Sequence, residues 1–239
     1  MRPILLPEFT LKLPPLFCGE VGLYAMVHAC GNSVVDTGRR FDKRFKSTHR
    51  FAIADTRGRL ELTVPVAKPP SSNCPWCEVG VSTHGAWWDV HRVALESAYG
   101  RTPYFEFYID RFLPMLTVGV EERFPMITDL SAAWDREIRK ILLFPDALAY
   151  SYDSEGKEPD DMARGEGSGF PTGNMMDVST VNLDRIDMPA YYQVRACQLG
   201  FIPHLSILDL IFNLGPESTL YLDRLAGQAV KLIKGGTGR

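Results

Sequence analysis

Cationic side chains are concentrated between residues 39 and 50, a stretch that we call the basic cluster. Its twelve residues contain one acid, Asp42, and six cations: Arg39, Arg40, Lys43, Arg44, Lys46 and Arg50. Arginine presents a planar fork that matches phosphate and carboxylate groups, and lysine adds a point charge. The basic cluster therefore predicts a site for a phosphate, a pyrophosphate or a sugar carboxylate. The alternative is a solvated connecting loop, which is the usual setting of a charge run.

A histidine adds proton transfer to the chemistry that this cluster could perform. His49 directly precedes Arg50, and an imidazole can exchange protons near neutral pH beside a bound anion. We therefore predict His49 as the catalytic acid or base. The predicted substrate-binding cations are Arg39, Arg40, Lys43 and Arg50.

The pair Cys74 and Cys77 has the C-x-x-C spacing of redox centres and of half a zinc site. A redox pair of this kind lies between a strand and a helix, whereas this pair follows a Pro-Pro-Ser-Ser loop. A zinc site needs two further ligands, and His84 is the nearest candidate. We therefore predict two loop thiols and no metal site. The sequence also lacks the motifs of P-loop, dinucleotide-binding, serine-hydrolase and zinc-protease sites.

The elements that must position these residues alternate between strands and helices. Alternating apolar residues over 51–66, interrupted by Asp55-Thr56-Arg57-Gly58, predict a hairpin with a type I turn directly after the basic cluster. Short strands are predicted at residues 3–6, 32–35 and 191–195. Helices are predicted from residue 14, over 87–99, after residues 102–103 and after residue 131. Together they predict an α/β fold, or a mixed α+β one, in a single compact domain with a central sheet flanked by helices.

The composition of the chain changes in its last third. Residues 153–176 consist mainly of Asp, Glu, Gly, Ser, Lys and Pro, and they have too little apolar surface to offset the entropy of ordering. We predict a mobile loop at about residues 153–176, within one domain that spans residues 1–226. A final helix is predicted to end near Leu225, followed by a frayed tail over residues 227–239.

Composition also limits the classes of protein to consider. The chain has 239 residues, 45% of them hydrophobic, and a formal net charge of −3, which argues against a nucleic-acid binder that relies on bulk neutralisation of phosphates. No stretch approaches 18 uninterrupted apolar residues, so we expect no membrane insertion. The N-terminal apolar run is short and interrupted by proline, and five cysteines do not form an even disulfide framework. We therefore expect a cytoplasmic protein.

An apolar block near the C-terminus, residues 205–217, contains two polar side chains one helical turn apart. Asp209 and Asn213 share one face of a helix that is apolar enough to be surrounded by protein. Buried polar groups need partners. We predict that Asp209 is a structural tie to the proline-rich N-terminal segment or to the basic cluster. The alternative places it in the wall of the substrate-binding site, where it would orient His49 or Arg50.

The longest recognisable stretch, residues 200–217, reads GFIPHLSILDLIFNLGPE. It resembles the C-terminal signature of the WbqC-like protein family, G-F-x-P-x-L-S-I-L-D-L-L-F-N-x-G-P-E. Similar features follow the family's order upstream: the proline-punctuated opening at residues 6–15, the stretch 43–50, the hairpin strand 58–66 and the helices between residues 88 and 105. The resemblance extends over nearly the whole chain.

Two departures from the family pattern concern the predicted site. The family's arginine-asparagine-arginine pattern appears here as Ser47-Thr48-His49-Arg50, and the opening lacks the aromatic residues usually found beside its prolines. Roles that depend on the missing asparagine or on the first arginine are therefore not carried over to this chain.

The resemblance implies an enzyme of bacterial surface-polysaccharide precursor synthesis, because the family is associated with such gene clusters. It would act on a nucleotide-linked or lipid-linked sugar, for example as a transferase of an acyl or amino-acyl group to an amino sugar. Its partner would be an anionic small molecule such as a nucleotide sugar; neither a cofactor nor an oligomeric state is indicated. The alternative is a non-catalytic scaffold or binding protein in a glycan-assembly complex. A concave pocket lined by the basic cluster would favour the enzyme, and a convex surface the scaffold.

Overall fold

The computed structural model describes residues 5–42, 46–71, 73–150 and 174–236. The strands in these ranges are β1 (Phe9–Leu13), β2 (Asn32–Asp36), β3 (Arg50–Asp55), β4 (Gly58–Thr63), β5 (Leu148–Tyr150) and β6 (Asn174–Asp177). The α-helices there are α1 (Val21–Cys30), α2 (Trp87–Tyr99), α3 (Phe105–Phe112), α4 (Val120–Arg123), α5 (Ile127–Leu142), α6 (Ala196–Leu199), α7 (Ile207–Leu214) and α8 (Ser218–Gly236). The predicted mixture of a small sheet with flanking helices is confirmed.

Four strands form one parallel sheet in the order β5-β2-β1-β6. β1 is central, and its Leu11 lies opposite Ser33 of β2 and Met176 of β6. The chain adds β2 and β5 on one side of β1 and then returns on the other side as β6. The direction of strand addition therefore reverses between β1 and β6. Because these strands are parallel, their carboxyl ends meet at the same edge of the sheet.

The second sheet is the β3–β4 hairpin, which the sequence predicts correctly. Asp55 pairs with Gly58 across the turn, and Gly58 has φ +114°, a backbone region that favours glycine. The regular ladder ends at Thr63 rather than at the predicted residue 66. His91 of α2 fastens this end, because its Nε2 lies 3.1 Å from the Thr63 carbonyl oxygen. The hairpin thus packs on α2, and the N-terminal end of β3 lies at the carboxyl edge of the parallel sheet.

One continuous hydrophobic core includes residues from Leu6 to Ile233. Trp134 of α5 lies within it, with its ring 5.5 Å from that of Phe17 and 4.7 Å from that of Phe112. Large aromatic rings bury more apolar area than other side chains, so this cluster stabilises the contact between α5, α3 and the segment after β1. No helix in the described ranges is both long and apolar enough to cross a bilayer.

Several predicted boundaries are wrong. Of the strand predicted at residues 3–6, residues 3 and 4 lie outside the described residues, and residues 5 and 6 belong to no strand; the first described strand begins at Phe9. The first helix begins at Val21 instead of residue 14, and residues 191–195 form no strand. α8 continues to Gly236, so the predicted frayed tail from residue 227 is wrong up to that point. Ala229 and Ile233 are fully buried there, because α8 packs lengthwise on α1.

The predicted mobile loop at residues 153–176 falls largely outside the described residues. Its last three positions, Asn174 to Met176, belong to β6 and pair with β1. Met176 is buried in the core, and this apolar contact stabilises the short strand. The polar composition of the neighbouring residues gives no sign of it. The C-terminal boundary of the predicted loop is therefore wrong.

Candidate functional site

A crevice of about 330 Å³ opens at the carboxyl edge of the parallel sheet, where strand addition reverses between β1 and β6. We call it the switch-point crevice. Its walls are the segment after β1, the segment after β6, the β3–β4 hairpin and the residues that lead into α7. Ligands of open α/β sheets bind outside the carboxyl ends of the strands at such reversals. The fold thus forms a concave site where this class of sheet binds its ligands.

Two arginines of the hairpin line the crevice. Arg50 lies 3.8 Å from Glu61 through its Nη1, and its buried Nε has no hydrogen-bond partner among the described residues. Arg59, which the sequence analysis did not identify, donates from Nη1 to the His204 carbonyl oxygen at 2.7 Å. The hairpin therefore supplies two guanidinium groups on one wall, and the Arg50 group retains an unused donor.

Arg39 does not line the crevice but is bonded to one of its wall residues. Its Nη1 donates to Ser179 Oγ at 2.8 Å and is 3.5 Å from both carboxylate oxygens of Asp177. Ser179 itself lines the crevice, and its backbone N–H donates to Asp177 Oδ1 at 2.8 Å. These bonds hold Arg39 at the carboxyl end of β6, next to the crevice wall, whereas Arg50 is the predicted substrate-binding arginine that lines the crevice itself.

The remaining members of the basic cluster are distributed differently. Arg40 is exposed and its backbone bridges to Pro75, and it does not contribute to the crevice wall. Lys43 lies outside the described residues. Among the cluster members that the structure describes, therefore, Arg50 lines the crevice and Arg40 faces the exterior.

His49 does not line the crevice. It is buried, with its ring 6.2 Å from the Trp76 ring, and its Nδ1 has no partner within the described ranges. Burial, with a smaller contribution from Arg50, lowers its pKa below 6.5, which favours the neutral imidazole. The structure thus places the predicted acid or base in a packed position outside the crevice lining.

Asp209 is fully buried in α7 and is bound by residues that the sequence did not indicate as its partners. Its Oδ2 accepts hydrogen bonds from Tyr191 Oη at 2.6 Å and Gln193 Nε2 at 2.9 Å. Burial raises its pKa, and these bonds partly oppose that rise. Asp209 therefore ties α7 to the preceding segment, because both donors to its Oδ2, Tyr191 and Gln193, belong to that segment and not to the region of His49 and Arg50.

The crevice also contains a carboxyl group that the sequence analysis missed. Glu20 lines the wall at the N-terminal end of α1, and its side chain makes no capping hydrogen bond to that helix. Burial and the nearby Asp184 raise its pKa to about 7, while Arg59 lowers it. A carboxyl with this pKa can donate or accept a proton at neutral pH. Because desolvation by distant segments causes the shift, no sequence pattern signals it.

Two residues of the crevice wall adopt left-handed backbone conformations. Cys18 has φ 49° and His204 has φ 56°, and the only other non-glycine residue with positive φ in the described ranges is Leu143. Such conformations cost free energy in non-glycine residues and occur often at functional sites. The Cys18 thiol is buried, which raises its pKa well above 9, so the strained position does not supply a reactive thiolate.

A comparison with family models identifies the family of this chain. The model of the WbqC-like protein family matches residues 15–153, which is more than half of the chain. The chain belongs to the WbqC-like protein family. The match includes α1, the hairpin and all of the basic cluster. The C-terminal block at residues 200–217 lies outside it. Searches of the curated proteins and of the solved structures found no match.

In this WbqC-like protein, the C-x-x-C pair lies beside the basic cluster, with Cys74 buried and Cys77 half-buried. The backbone N–H of Phe41 donates to the Cys74 carbonyl oxygen, and that of Cys77 donates to the Thr37 carbonyl oxygen. Burial raises the pKa of both thiols. Within the described residues, no group of three His, Cys, Asp or Glu side chains is arranged to hold a metal ion.

Proposed function

We propose that this protein is a transferase that acts on an anionic sugar precursor, such as a nucleotide-linked sugar, in bacterial surface-polysaccharide synthesis in the cytoplasm. The observation that carries the proposal is the switch-point crevice, in which Arg50, Arg59 and Glu20 converge. A concave site with a few convergent polar groups and one carboxyl of shifted pKa is typical of enzyme active sites. Membership of the WbqC-like family supports the connection with polysaccharides.

The arginines would bind the anionic part of the substrate. Arg50 offers its unpartnered Nε, and Arg39 bonds Ser179 of the crevice wall. The charged side chains that line the crevice are Arg50, Arg59, Glu20 and Glu61. When Glu20 is protonated, this set carries a net positive charge and attracts an anion. Binding of the anion would in turn favour the protonated form of Glu20.

Glu20 would serve as the general base and acid of the transfer. In an acyl or amino-acyl transfer, the amine of an amino sugar attacks the carbonyl carbon of an activated donor such as a thioester. The new N–C bond forms, the bond between the carbonyl carbon and the leaving group breaks, and Glu20 moves the amine proton to the leaving group. A carboxyl with a pKa of about 7 performs both halves of this step at neutral pH.

The second candidate function is a non-catalytic binding protein in a glycan-assembly complex. The exposure of Arg40 outside the crevice favours it, because a macromolecular partner would contact the outer surface on which this arginine lies. Under this alternative, the crevice binds ligand without turnover.

Calorimetric titration with a panel of nucleotide sugars tests the proposal. Arg50→Gln should weaken binding by about tenfold or more, since a charge-assisted hydrogen bond contributes about 1.5–3 kcal/mol. Arg57→Gln is the matched control, because Arg57 is exposed in the same hairpin but does not line the crevice. Equal binding by both variants would refute the assignment of the site. Binding without product from any acyl or amino-acyl donor would favour the alternative.

A further inference from the structure

A second cavity, of about 200 Å³, lies on the other side of the segment that follows β1. Helices α1 and α5 form two of its walls, and the carboxyl ends of β1 and β2 form its floor. Pro14, Leu16 and Leu23 border both this cavity and the switch-point crevice. We propose that it binds a small aliphatic carboxylate through Arg139. The inference stands apart from the proposed function, because the two sites share only these border residues.

The walls of the cavity define the body of the ligand. They are largely aliphatic, with side chains from both strands and both helices: Leu13, Leu16, Leu23, Val27, Val35 and Ala132. Leu13, Leu23 and Val27 are buried in the core, so this surface is a fixed part of the fold. Contact with such walls favours a compact hydrocarbon chain and disfavours an inorganic anion, which has no apolar part.

Arg139 supplies the polar end of the site. Its side chain is 1% exposed, and it forms part of the cavity wall. Nε donates to Asp135 Oδ2 at 2.5 Å and Nη1 donates to the Pro145 carbonyl oxygen at 2.9 Å. Nη2 has no hydrogen-bond partner among the described residues and is shielded from solvent, so a ligand carboxylate reaches it only by displacing neighbouring atoms of the cavity wall. A buried guanidinium amino group without a partner is costly, and a carboxylate is the ligand that this group fits best.

The other charges around the cavity are compatible with an anion. Both carboxylate oxygens of Asp135 already accept hydrogen bonds: Oδ1 accepts one from Tyr24 Oη at 2.6 Å, and Oδ2 accepts one from Arg139 Nε. Arg136 is exposed at the rim and adds a positive charge there. Asp146 is the remaining acid of the lining; it is exposed, so solvent and salt screen its charge. The cavity wall therefore contains one neutralised ion pair, and behind its surface lies one unused donor of Arg139.

Ligand-observed NMR tests the inference with three molecules of the same shape: isovalerate, its uncharged amide isovaleramide, and the cation isoamylamine. Isovalerate at millimolar concentration should show saturation transfer from the protein, and the other two should not. The comparison isolates the carboxylate, because all three share the same aliphatic body. Equal binding of isovaleramide and isovalerate, or no binding of isovalerate, would overturn the proposal.

Two variants locate the binding. Ala132→Phe fills the cavity from an exposed position on α5, and Val118→Phe, at an exposed position outside the cavity wall, is its control. Arg139→Lys keeps the charge but removes the fork. We expect both Ala132→Phe and Arg139→Lys to weaken isovalerate binding about tenfold or more, with Val118→Phe unchanged. If Arg139→Lys does not fold, Ala132→Phe decides. Wild-type affinity in every folded variant would refute the site, whatever the crevice binds.

Discussion

Replacement of Glu20 by Gln should change the pH dependence of stability in a way that reports directly on the crevice. The pKa of Glu20 rises from 4.5 to about 7 in the folded protein. The folded state therefore holds a proton that the unfolded chain releases, and the free energy of unfolding falls as the pH rises from 4.5 to 7. At about 1.4 kcal/mol for each tenfold change in proton affinity, the loss is roughly 3 kcal/mol above pH 7.

Glutamine resembles the protonated carboxyl in shape but cannot ionise. Glu20→Gln should therefore equal the wild type in stability at pH 4.5 and exceed it by up to about 3 kcal/mol at pH 8. Urea unfolding at a series of pH values measures the difference. Buried His91, whose pKa is lowered to about 4, also makes stability depend on pH, but it is present in both proteins and cancels in their difference.

Glu122→Gln provides the control for the loss of one negative charge, since Glu122 is exposed on α4 and lies outside the crevice wall. The gain of Glu20→Gln with rising pH should exceed that of Glu122→Gln. Curves for Glu20→Gln and the wild type that stay parallel from pH 4.5 to pH 8 would refute the reasoning. They would show that Glu20 is ionised at neutral pH like an exposed carboxyl, and the proposed acid–base role would lose its basis.

Two further predictions concern the C-terminal elements. Tyr191→Phe should lower the free energy of unfolding by about 1–3 kcal/mol, because it removes a hydrogen bond to a buried carboxylate, whereas Tyr192→Phe, at an exposed position, should not; urea unfolding compares the two. Gly215→Ala should destabilise by about 2 kcal/mol or more, because its Cβ would lie 2.5 Å from the Tyr104 ring at φ +54°. Gly227→Ala meets nothing within 4 Å in α8 and should stabilise by about 0.5–1 kcal/mol; thermal unfolding that ranks this pair in the opposite order would contradict the packing argument.

The elements that the sequence predicts correctly are those defined by local signals. The hairpin follows from the Asp55–Gly58 turn and from alternation on both sides of it, and α2 follows from one apolar stripe between Trp87 and Tyr99. Ser206 is recognisable as the residue before α7, and its Oγ accepts a hydrogen bond from the Leu208 N–H at 3.3 Å. Each of these features depends on residues within one or two turns of the chain.

The elements that the sequence predicts wrongly depend on distant contacts. β6 exists because Met176 packs into the core beside β1, and the end of α8 exists because α1 covers it. The same holds for the site. Arg50 could be anticipated from local charge, whereas Glu20 and Arg59 become site residues only because the strand order brings their segments together. Desolvation, which sets the pKa of Glu20, has no local sequence signature.

The C-terminal block, residues 205–217, is part of the architecture and also part of the crevice. Backbone bonds from residues 205–207 join three walls of the crevice: the Val21 N–H donates to Leu205 O, the Ser206 N–H to Ala52 O and the Ile207 N–H to Gly19 O. Ser206 Oγ also donates to the carbonyl oxygen of left-handed Cys18 at 2.9 Å. The block therefore holds the strained segment in place, and a change that loosens α7 should alter the crevice even where it touches no ligand.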